Sequence, residues 1–567
     1  MQGKRWVFRN IEHNRNEIMA AAERLSVSPV IITLLFNRGI TSDKEITAFL
    51  SKSMRAVHNP MLLPDMEAAV NRIAAALSNN ERICIYGDYD VDGITSTVLL
   101  YKYLLSHGAD VSYYIPDRIT EGYGVNIKAV NKISKTGCKL LTTVDCGITA
   151  VGDTELAKAQ GMDVIITDHH TCKEKIPNAT AVINHKREDS EYPFSELAGV
   201  GVVFKTVLAL SMKLGENTKE AFYKYSPYAA IGTVADVVSL TDENRVIVHR
   251  GIISAKENPT PGIAALMNAA GATELNTGTV AYAVSPRINA AGRMGNANLA
   301  AELLICESKS TAAEIAEALN TENQRRRVQE KNILDEAEAV IAANPKLLSK
   351  PVLVIGGQMW HQGVVGIVAS RLCEKYYKPV VLISFEDGKG HGSCRSIEGF
   401  NIFDALDYCD DLLEKFGGHA MAAGLTLNES EFDKFSEKIN RYAADNMPSD
   451  GLTPVLDIDC TIGASAMTEH NINVISSLEP FGEGNSTPVF AITNATVAAA
   501  MQMGDGGAHL RLQLAKDGHN LSCVGFRMGH LCAALTPGKA VDIAFTPEIN
   551  TYNGRRSVQL RLADVIC

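Results

Sequence analysis

From Arg82 onward the chain alternates short apolar runs with longer amphipathic stretches. Ile83-Cys-Ile-Tyr86 is followed by a helical pattern around Thr95–Leu105 and then by Asp110–Ile115. Lys139–Val144 and Asp163–Thr167 are further strand-like runs, with a helical stretch near 150–160 between them. Strands alternating with helices of about 10–15 residues predict βαβ units and a parallel sheet. The first 80 residues read as helices instead, among them Pro29–Asn37 and Asp43–Leu50, the latter with Ser42 as N-cap. Residues 311–343 are Ala-, Glu-, Asn- and Arg-rich with no Gly or Pro, the pattern of one long helix bridging two lobes. A second α/β block opens with the strand Pro351–Ile355 and runs to about Asn446. Beyond it, His509–Leu514 and Ser557–Leu562 alternate apolar and polar positions, with turn signals at Asp517-Gly518 and Asn553-Gly554. That pattern predicts a small antiparallel β domain.

Composition narrows the class of protein. A length of 567 residues implies several domains, at roughly 100–200 residues each. Hydrophobic residues at 46% and charged residues at 21% are globular values and exclude a mainly disordered chain. The 12 cysteines stand singly, without a Cys-x-x-Cys pair, which argues against a disulfide scaffold or a structural zinc site. Met1–Asn10 leads into polar sequence without an apolar h-region, and no apolar run is long enough for a membrane span. The expectation is a reduced, soluble, cytoplasmic protein without a membrane partner. The net charge of −11 means that an acidic partner would have to be held by local basic patches or bridging metal ions.

The chemistry is concentrated in Gly87-Asp-Tyr-Asp-Val-Asp-Gly93, directly after the first strand. Three carboxylates two residues apart repel one another unless solvent or a cation screens them. Asp88-x-Asp90-x-Asp92-Gly93 matches the first half of an EF-hand loop, but the twelfth position is Leu99 rather than Glu, and a strand precedes it. Asp90-Val-Asp-Gly-Ile94 is similar to the nucleophile loop of haloacid-dehalogenase-type phosphatases. Their magnesium motif fails here, because Ala157 stands where the Asp after Gly152-Asp153 is needed. Acids recur at equivalent places: Lys139–Val144 ends in Asp145-Cys-Gly147, and Asp163–Thr167 ends in Asp168-His-His170. Open parallel sheets bind ligands at the carboxyl ends of their strands, so these groups should converge. A helical stretch ending Thr233-Val-Ala-Asp236 adds an acid in apolar surroundings, which is costly unless it faces a cation or a donor. Carboxylates with imidazole suit Mn²⁺ or Mg²⁺. At least five candidate ligands exceed the needs of one open octahedral ion, so a carboxylate bridging two ions about 3.5–4 Å apart is expected, an arrangement suited to phosphoryl chemistry.

At this point the motifs resemble a known family. Gly-Asp-Tyr-Asp-Val-Asp-Gly, Val-Asp-Cys-Gly, Thr-Asp-His-His and Gly-Thr-Val-Ala-Asp-Val-Val are similar to the four ordered motifs of the DHH phosphoesterase superfamily. Leu35-Phe-Asn-Arg-Gly-Ile40, Pro286-Arg-Ile-Asn-Ala-Ala-Gly-Arg293 and Phe481-Gly-Glu-Gly-Asn485 resemble its bacterial branch of single-strand-specific 5′→3′ DNA exonucleases. Gly417-Gly-His-Ala-Met-Ala-Ala-Gly424 resembles the signature of the DHH-associated domain. The resemblance implies an N-terminal helical segment, 1–80, packed on a parallel-sheet DHH catalytic domain, 81–310. It implies a connecting long helix, 311–345, a smaller α/β DHH-associated domain, 346–450, and a C-terminal OB-like β domain, 451–567.

By position, the resemblance implies that Asp90 binds one ion and Asp92 the other. Asp145 would bridge them, and His169 and Asp236 would complete the second. His170 would face the scissile phosphate, with Asp88 and Asp168 acting from behind the ligands. Smaller members of the superfamily have a His where Tyr86 stands, which leaves the first ion's coordination open and could draw Asp88 in. Arg118, Ser393 and Arg395, the last two on a Gly-flexed loop, would form a pocket for a terminal 5′-phosphate, with exposed ion pairs as the plainer reading of each Arg. Tyr123 would stack or gate, unless it is simply a packing ring, and Arg287, Asn289 and His419 would also contact substrate. The glycines of Trp360–Gly366 suit either close backbone approach to a strand or helix–strand packing. In the β domain Lys516, Arg527, Arg555 and Arg556 offer charge, although aromatics are few.

The function implied is hydrolysis of single-stranded DNA to mononucleotides by a monomer holding two Mn²⁺ or Mg²⁺ ions. A single-strand-binding protein and a RecQ-type helicase are partners implied by the resemblance alone. Two alternatives stand beside it. One is a DHH phosphodiesterase for short oligoribonucleotides, cyclic dinucleotides or pyrophosphate, whose members lack the C-terminal β domain. The other is a non-catalytic replication scaffold, disfavoured because the acids and His169 are all present.

Overall fold

The structure, a computed structural model, describes residues 4–9, 15–118, 120–447, 453–552 and 555–567. It divides into two compact units: one of Val57–Ser239 and Ile247–Thr453, the other of the chain through Ala56 with Leu240–Val246 and Pro454–Cys567.

In the first unit the predicted βαβ pattern forms a five-stranded sheet. Its order is Val111–Tyr114, Ile83–Tyr86, Leu140–Val144, Asp163–Thr167, Ala181–Ile183, and every pairing is parallel. Ile83–Tyr86 is buried at all four positions, as expected of a central strand covered on both faces. It lies between the second and third strands in chain order, so its carboxyl end is a topological switch point, where doubly wound sheets bind ligands. The acidic motif begins one residue after it. The helix that follows, Val91–Ser106, starts inside the motif. Asp90 is its N-cap, accepting the Gly93 N–H at 3.0 Å, and Asp92 lies in its first turn. The three acids therefore straddle a helix start, where the dipole favours negative charge, rather than crowd one turn.

The long helix spans Lys309–Ala343 and leads into a second sheet of order 415–418, 422–428, 389–395, 380–386, 353–358. Only its pair Leu353–Gln358 and Val380–Glu386 is parallel; the other pairings are antiparallel. Ser393 and Arg395 lie on the strand Lys389–Arg395 and not on a loop as expected. The glycines that suggested a loop have a packing reason: a Cβ on Gly390 would come within 2.7 Å of Phe385, and one on Gly392 within 2.8 Å of Leu425. Strand alternation then turns Ser393 and Arg395 to one face.

In the second unit Ser42 caps Asp43–Leu50 through a reciprocal capping box with Glu45. The β domain is a six-stranded sheet in which Phe490–Met503 pairs with both His509–Lys516 and Ala540–Tyr552, closing a barrel. Asp517 and Gly518 both adopt positive φ between Lys516 and its partner His519, the two-residue hairpin turn that the pair predicts. The other turn signal, Asn553-Gly554, lies outside the described residues. Ile31, Leu34 and Leu35 of the N-terminal helices share one core with Phe490, Leu512 and Phe545 of the barrel. The structure thus divides the segment expected as one piece, 1–80: residues through Ala56 join the barrel's unit, and Val57 onward joins the catalytic unit. An apolar helix face docks where a complementary core exists, and here the barrel supplies it. Two of the quoted motifs meet in this unit, because Arg38 bonds Asp459, Asn485 and the Ser486 carbonyl at 2.9 Å each.

Candidate metal centre and nucleic-acid site

The carboxyl ends of three parallel strands deliver the acids to one place. Asp88, Asp90 and Asp145 bring carboxylate oxygens within 4.8 Å of one another, and so do the donor atoms of Asp92, His169 and Asp236. Asp145 joins the two groups: its Oδ1 is 3.2 Å from His169 Nε2, while His169 Nε2 is 3.8 Å from Asp92 and 3.7 Å from Asp236. The cluster holds more acid than its surroundings can stabilise. Burial, reinforced by Asp90, pushes Asp92 up to about 7, and burial with Asp92 pushes Asp236 up to about 8. Asp88 and Asp145 are displaced upward by burial and their neighbours as well. Burial, with His170 close by, lowers His169 to about 3, so it is a neutral donor.

Local structure holds these groups in place. Asp92 accepts the Gly199 and Val200 N–H groups at 2.7 and 2.8 Å, at the start of the helix Gly199–Lys213. Asp145 sits in the left-handed region, φ 58°, immediately after its strand. Asp236 is the C-cap of Thr218–Ala235, the end of a helix that disfavours an anion. Asp168 is taken up by hydrogen bonds next to the candidate ligands. It accepts the Ile148 N–H at 2.9 Å, the His169 N–H at 2.7 Å and His170 Nδ1 at 2.7 Å. Burial pulls His170 down, but the Asp168 hydrogen bond and the negative charges of Asp168, Asp236 and Asp92 together outweigh it and hold the imidazole above its ordinary value. Asp88 departs from the role of a residue behind the ligands, because its carboxylate is within co-ligand distance of Asp90 and Asp145. Tyr86 does not take part: its hydroxyl donates to the Gly124 carbonyl at 2.8 Å.

The residues fit divalent cations. Asp88 Oδ1, Asp145 Oδ1 and His169 Nδ1 are buried without a hydrogen-bond partner, which is rare for such groups. A donor set of five carboxylates and an imidazole suits Mg²⁺ or Mn²⁺.

Beside the acids lies a group of arginines. Arg118 packs over the Tyr89 ring at 5.0 Å, and Tyr123 OH is 3.2 Å from His170 Nε2. Arg395 bonds Ser370 Oγ at 3.0 Å and Ser393 Oγ at 3.2 Å. A Cβ on Gly366 would stand 2.8 Å from Ser393 Oγ and 3.1 Å from Arg395, so the glycines of Trp360–Gly366 serve close helix–strand approach. Arg293, quoted above only within a motif, belongs to the same group. Burial and then Arg118, Arg326 and Arg395 lower it to about 10, and it donates to the Gly363 carbonyl at 3.1 Å. Its signal in the sequence was its place at the end of the Pro286–Arg293 motif.

Other expected contacts are placed differently. Arg287 is engaged by Asn320 and by the Ala283 and Ala269 carbonyls, which makes it a brace between helices and does not bring it to the arginine group. Asn289 is half-buried on the same helix. His419 is exposed on the hairpin before Ala422, the residue that pairs with Arg395. In the β domain Arg556 faces Glu469 at 3.5 Å and Lys516 bonds the Asn494 carbonyl at 3.2 Å. The exposed ring there is Phe526, edge-on to His509 beside Arg527, which the period-2 pattern concealed by placing it past the strand end.

Three family models match the chain in order: the DHH family N-terminal domain over residues 82–233, the DHHA1 domain over 345–445 and the RecJ OB domain over 458–564. The single-stranded-DNA-specific exonuclease RecJ of Bacillus subtilis is 36% identical over 97% of this chain and 70% of its own length. The chain belongs to the RecJ family. RecJ of Escherichia coli is 31% identical over 98% of this chain and 99% of its own. RecJ of Thermus thermophilus crystallised with Mn²⁺ superposes with a TM-score of 0.84 at 28% identity, covering 99% of this chain and 79% of that one. A Mg²⁺ complex of the same RecJ gives 0.77. Membership in the RecJ family accounts for the three-part order of catalytic domain, DHH-associated domain and OB barrel, which a small-substrate DHH phosphodiesterase would not need.

Proposed function

We infer that the chain is a metal-dependent exonuclease that hydrolyses single-stranded DNA from its 5′ end to mononucleotides. The observation that carries this reading is the pair of ligand groups joined at Asp145, with an arginine–serine pocket beside them. Asp88, Asp90 and Asp145 would hold one Mn²⁺ or Mg²⁺, and Asp145, Asp92, His169 and Asp236 the other. Two such ions supply an activated water and spread the charge of an in-line displacement at phosphorus.

The chain's own residues do the rest. Asp168 fixes His170 by accepting its Nδ1–H and favours the imidazolium, in which Nε2 carries a second proton that a phosphate oxygen can share. Tyr123, hydrogen-bonded to that imidazole, covers it on the solvent side. Arg118, Ser393 and Arg395 hold the terminal 5′-phosphate, with Arg293 adding charge; arginine does this bidentately. A pocket for one terminal phosphate next to the reacting centre favours cleavage near an end; that the end is the 5′ one rests on the family resemblance. The OB barrel would itself bind single-stranded DNA, with the exposed Phe526 as a stacking ring. A single-strand-binding protein and a RecQ-type helicase, acting in the cytoplasm, are the partners this reading expects.

Digestion of end-labelled oligonucleotides with Mn²⁺ tests it. Early release of a 5′-labelled mononucleotide from single strands, with duplex spared, is expected; early release of the 3′ label would overturn the polarity.

A further inference from the structure

The loop after the strand Val111–Tyr114 carries both Arg118 and Tyr123, yet its own contacts to the metal centre are few. What holds it is a stacked pair of tyrosines beneath it, one buried and one half-buried. Tyr86, fully buried on the central strand, stacks on Tyr114 of the neighbouring strand with ring centroids 5.5 Å apart and planes 18° from parallel. Each hydroxyl grips a different part of the loop. Tyr86 OH donates to the Gly124 carbonyl at 2.8 Å and accepts Asn126 Nδ2 at 3.2 Å. Tyr114 OH donates to Glu121 Oε1 at 2.7 Å, while Glu121 Oε2 accepts the Asp117 N–H at 2.8 Å. Asp117 in turn accepts the Thr120 N–H at 2.8 Å. Tyr123 lies between the two grips, flanked by Gly122 and Gly124 at positive φ.

We propose that the Tyr86–Tyr114 stack is a positioning device for substrate: it sets the height of Asp117, Arg118 and residues 120–124 above the metal centre, so that Arg118 meets the terminal phosphate and Tyr123 meets His170. Flanking glycines make the backbone around Tyr123 permissive, so its location depends on the two side-chain grips. Both hydroxyls donate to the loop rather than to a metal-site carboxylate, so the device acts on strand capture and leaves the ions alone. This inference rests on the exonuclease reading above.

The test uses the full-length enzyme with a 5′-phosphorylated single-stranded oligonucleotide and Mn²⁺. Tyr86→Phe keeps the ring and deletes the grip on Gly124. The expected result is a fall of about tenfold in kcat/KM, the size for one buried polar partner left unmade, expressed mainly in KM. The Mn²⁺ concentration for half-maximal rate should not move. In an Arg118→Ala/Tyr123→Ala background the same substitution should change kcat/KM less than twofold, because residues that act as one unit are not additive. Tyr114→Phe should behave alike, and it replaces Tyr86→Phe if that variant does not fold. Unchanged KM, a shifted Mn²⁺ requirement, or full additivity in the double-alanine background would overturn the proposal. Failure of the wild type to cut the oligonucleotide at all would instead overturn the exonuclease reading.

Discussion

Gly199 is where one methyl group should disable the enzyme without replacing any ligand. A Cβ built there stands 2.5 Å from Asp145 Oδ1, 2.7 Å from Asp145 Cβ and 2.8 Å from Cγ. The Gly199 N–H also holds Asp92 at 2.7 Å, so this residue touches the carboxylate that joins the two ligand groups and one member of the second. Ordinary contact begins near 3.4 Å, so in Gly199→Ala the Asp145 carboxylate must retreat by about 0.9 Å, or the helix start must move and release Asp92. A displacement of about 1 Å at a reacting centre costs on the order of a hundredfold in rate, or about 2.7 kcal/mol of barrier. Stability should change less. Overpacking costs about 1–3 kcal/mol, and replacing a helical glycine by alanine returns roughly 0.5–1 kcal/mol. The assay is Mn²⁺-dependent release of nucleotides from single-stranded DNA beside a thermal melt. Gly201→Ala is the control, since the three atoms nearest its Cβ would all belong to the flexible Leu197 side chain, from 3.2 Å, and it should cleave within about threefold of wild type. A Gly199→Ala enzyme with wild-type rate and wild-type Mn²⁺ requirement would refute the reasoning.

Asp145→Asn should abolish cleavage while leaving strand binding largely intact; Mn²⁺-dependent activity surviving in that variant contradicts the bridging role. Arg395→Lys keeps the charge but loses the fork, so the advantage of a 5′-phosphate over a 5′-hydroxyl end should shrink by about ten- to a hundredfold, read as KM on the two substrates. The chelator-treated protein should become less stable as pH rises from 6 to 8.5. Asp92, up to about 7, and Asp236, up to about 8, keep protons in the metal-free fold that the unfolded chain releases near 4. The folded state then binds more protons, and stability is lost as pH passes the folded values. A melting temperature that stays flat or climbs over this range without metal would count against the buried acid cluster, and added Mn²⁺ should remove the decline.

Much of the site was legible in the sequence because its chemistry follows backbone rules. Acids directly after buried strands must emerge at one sheet edge, so Asp88, Asp145 and Asp168–His170 were drawn together before any geometry was known. Asp90 caps a helix, which the acidic motif does not reveal, because a carboxylate that caps and one that only crowds its neighbours look alike in sequence. Ser393 and Arg395 were read onto a loop, since glycines that serve strand packing against Phe385 and Leu425 are indistinguishable from glycines that bend. Gly199 and Tyr86 went unread for a different reason. Their parts depend on contacts to Asp145 and Gly124, distant in the chain and of no local pattern. The N-terminal helices Pro29–Asn37 and Asp43–Leu50 form as expected, but a helical pattern does not say which core a helix joins.

The acid excess of the chain is reconciled with an acidic substrate by where the charges are buried. In the acid cluster, burial and like neighbours push carboxyls up toward neutrality. In the arginine group the same two causes push Arg293 down to about 10. Each group is destabilised alone, and each is relieved by the opposite charge that the other half of the reaction brings: divalent cations for the carboxylates, phosphate for the guanidiniums. Arg118 belongs to both fields, since it favours the charged form of Asp88 and disfavours that of Arg293. Net charge therefore says little about the partner here, because the cleft confines both signs within a few residues and metal reverses the sign of its acidic side.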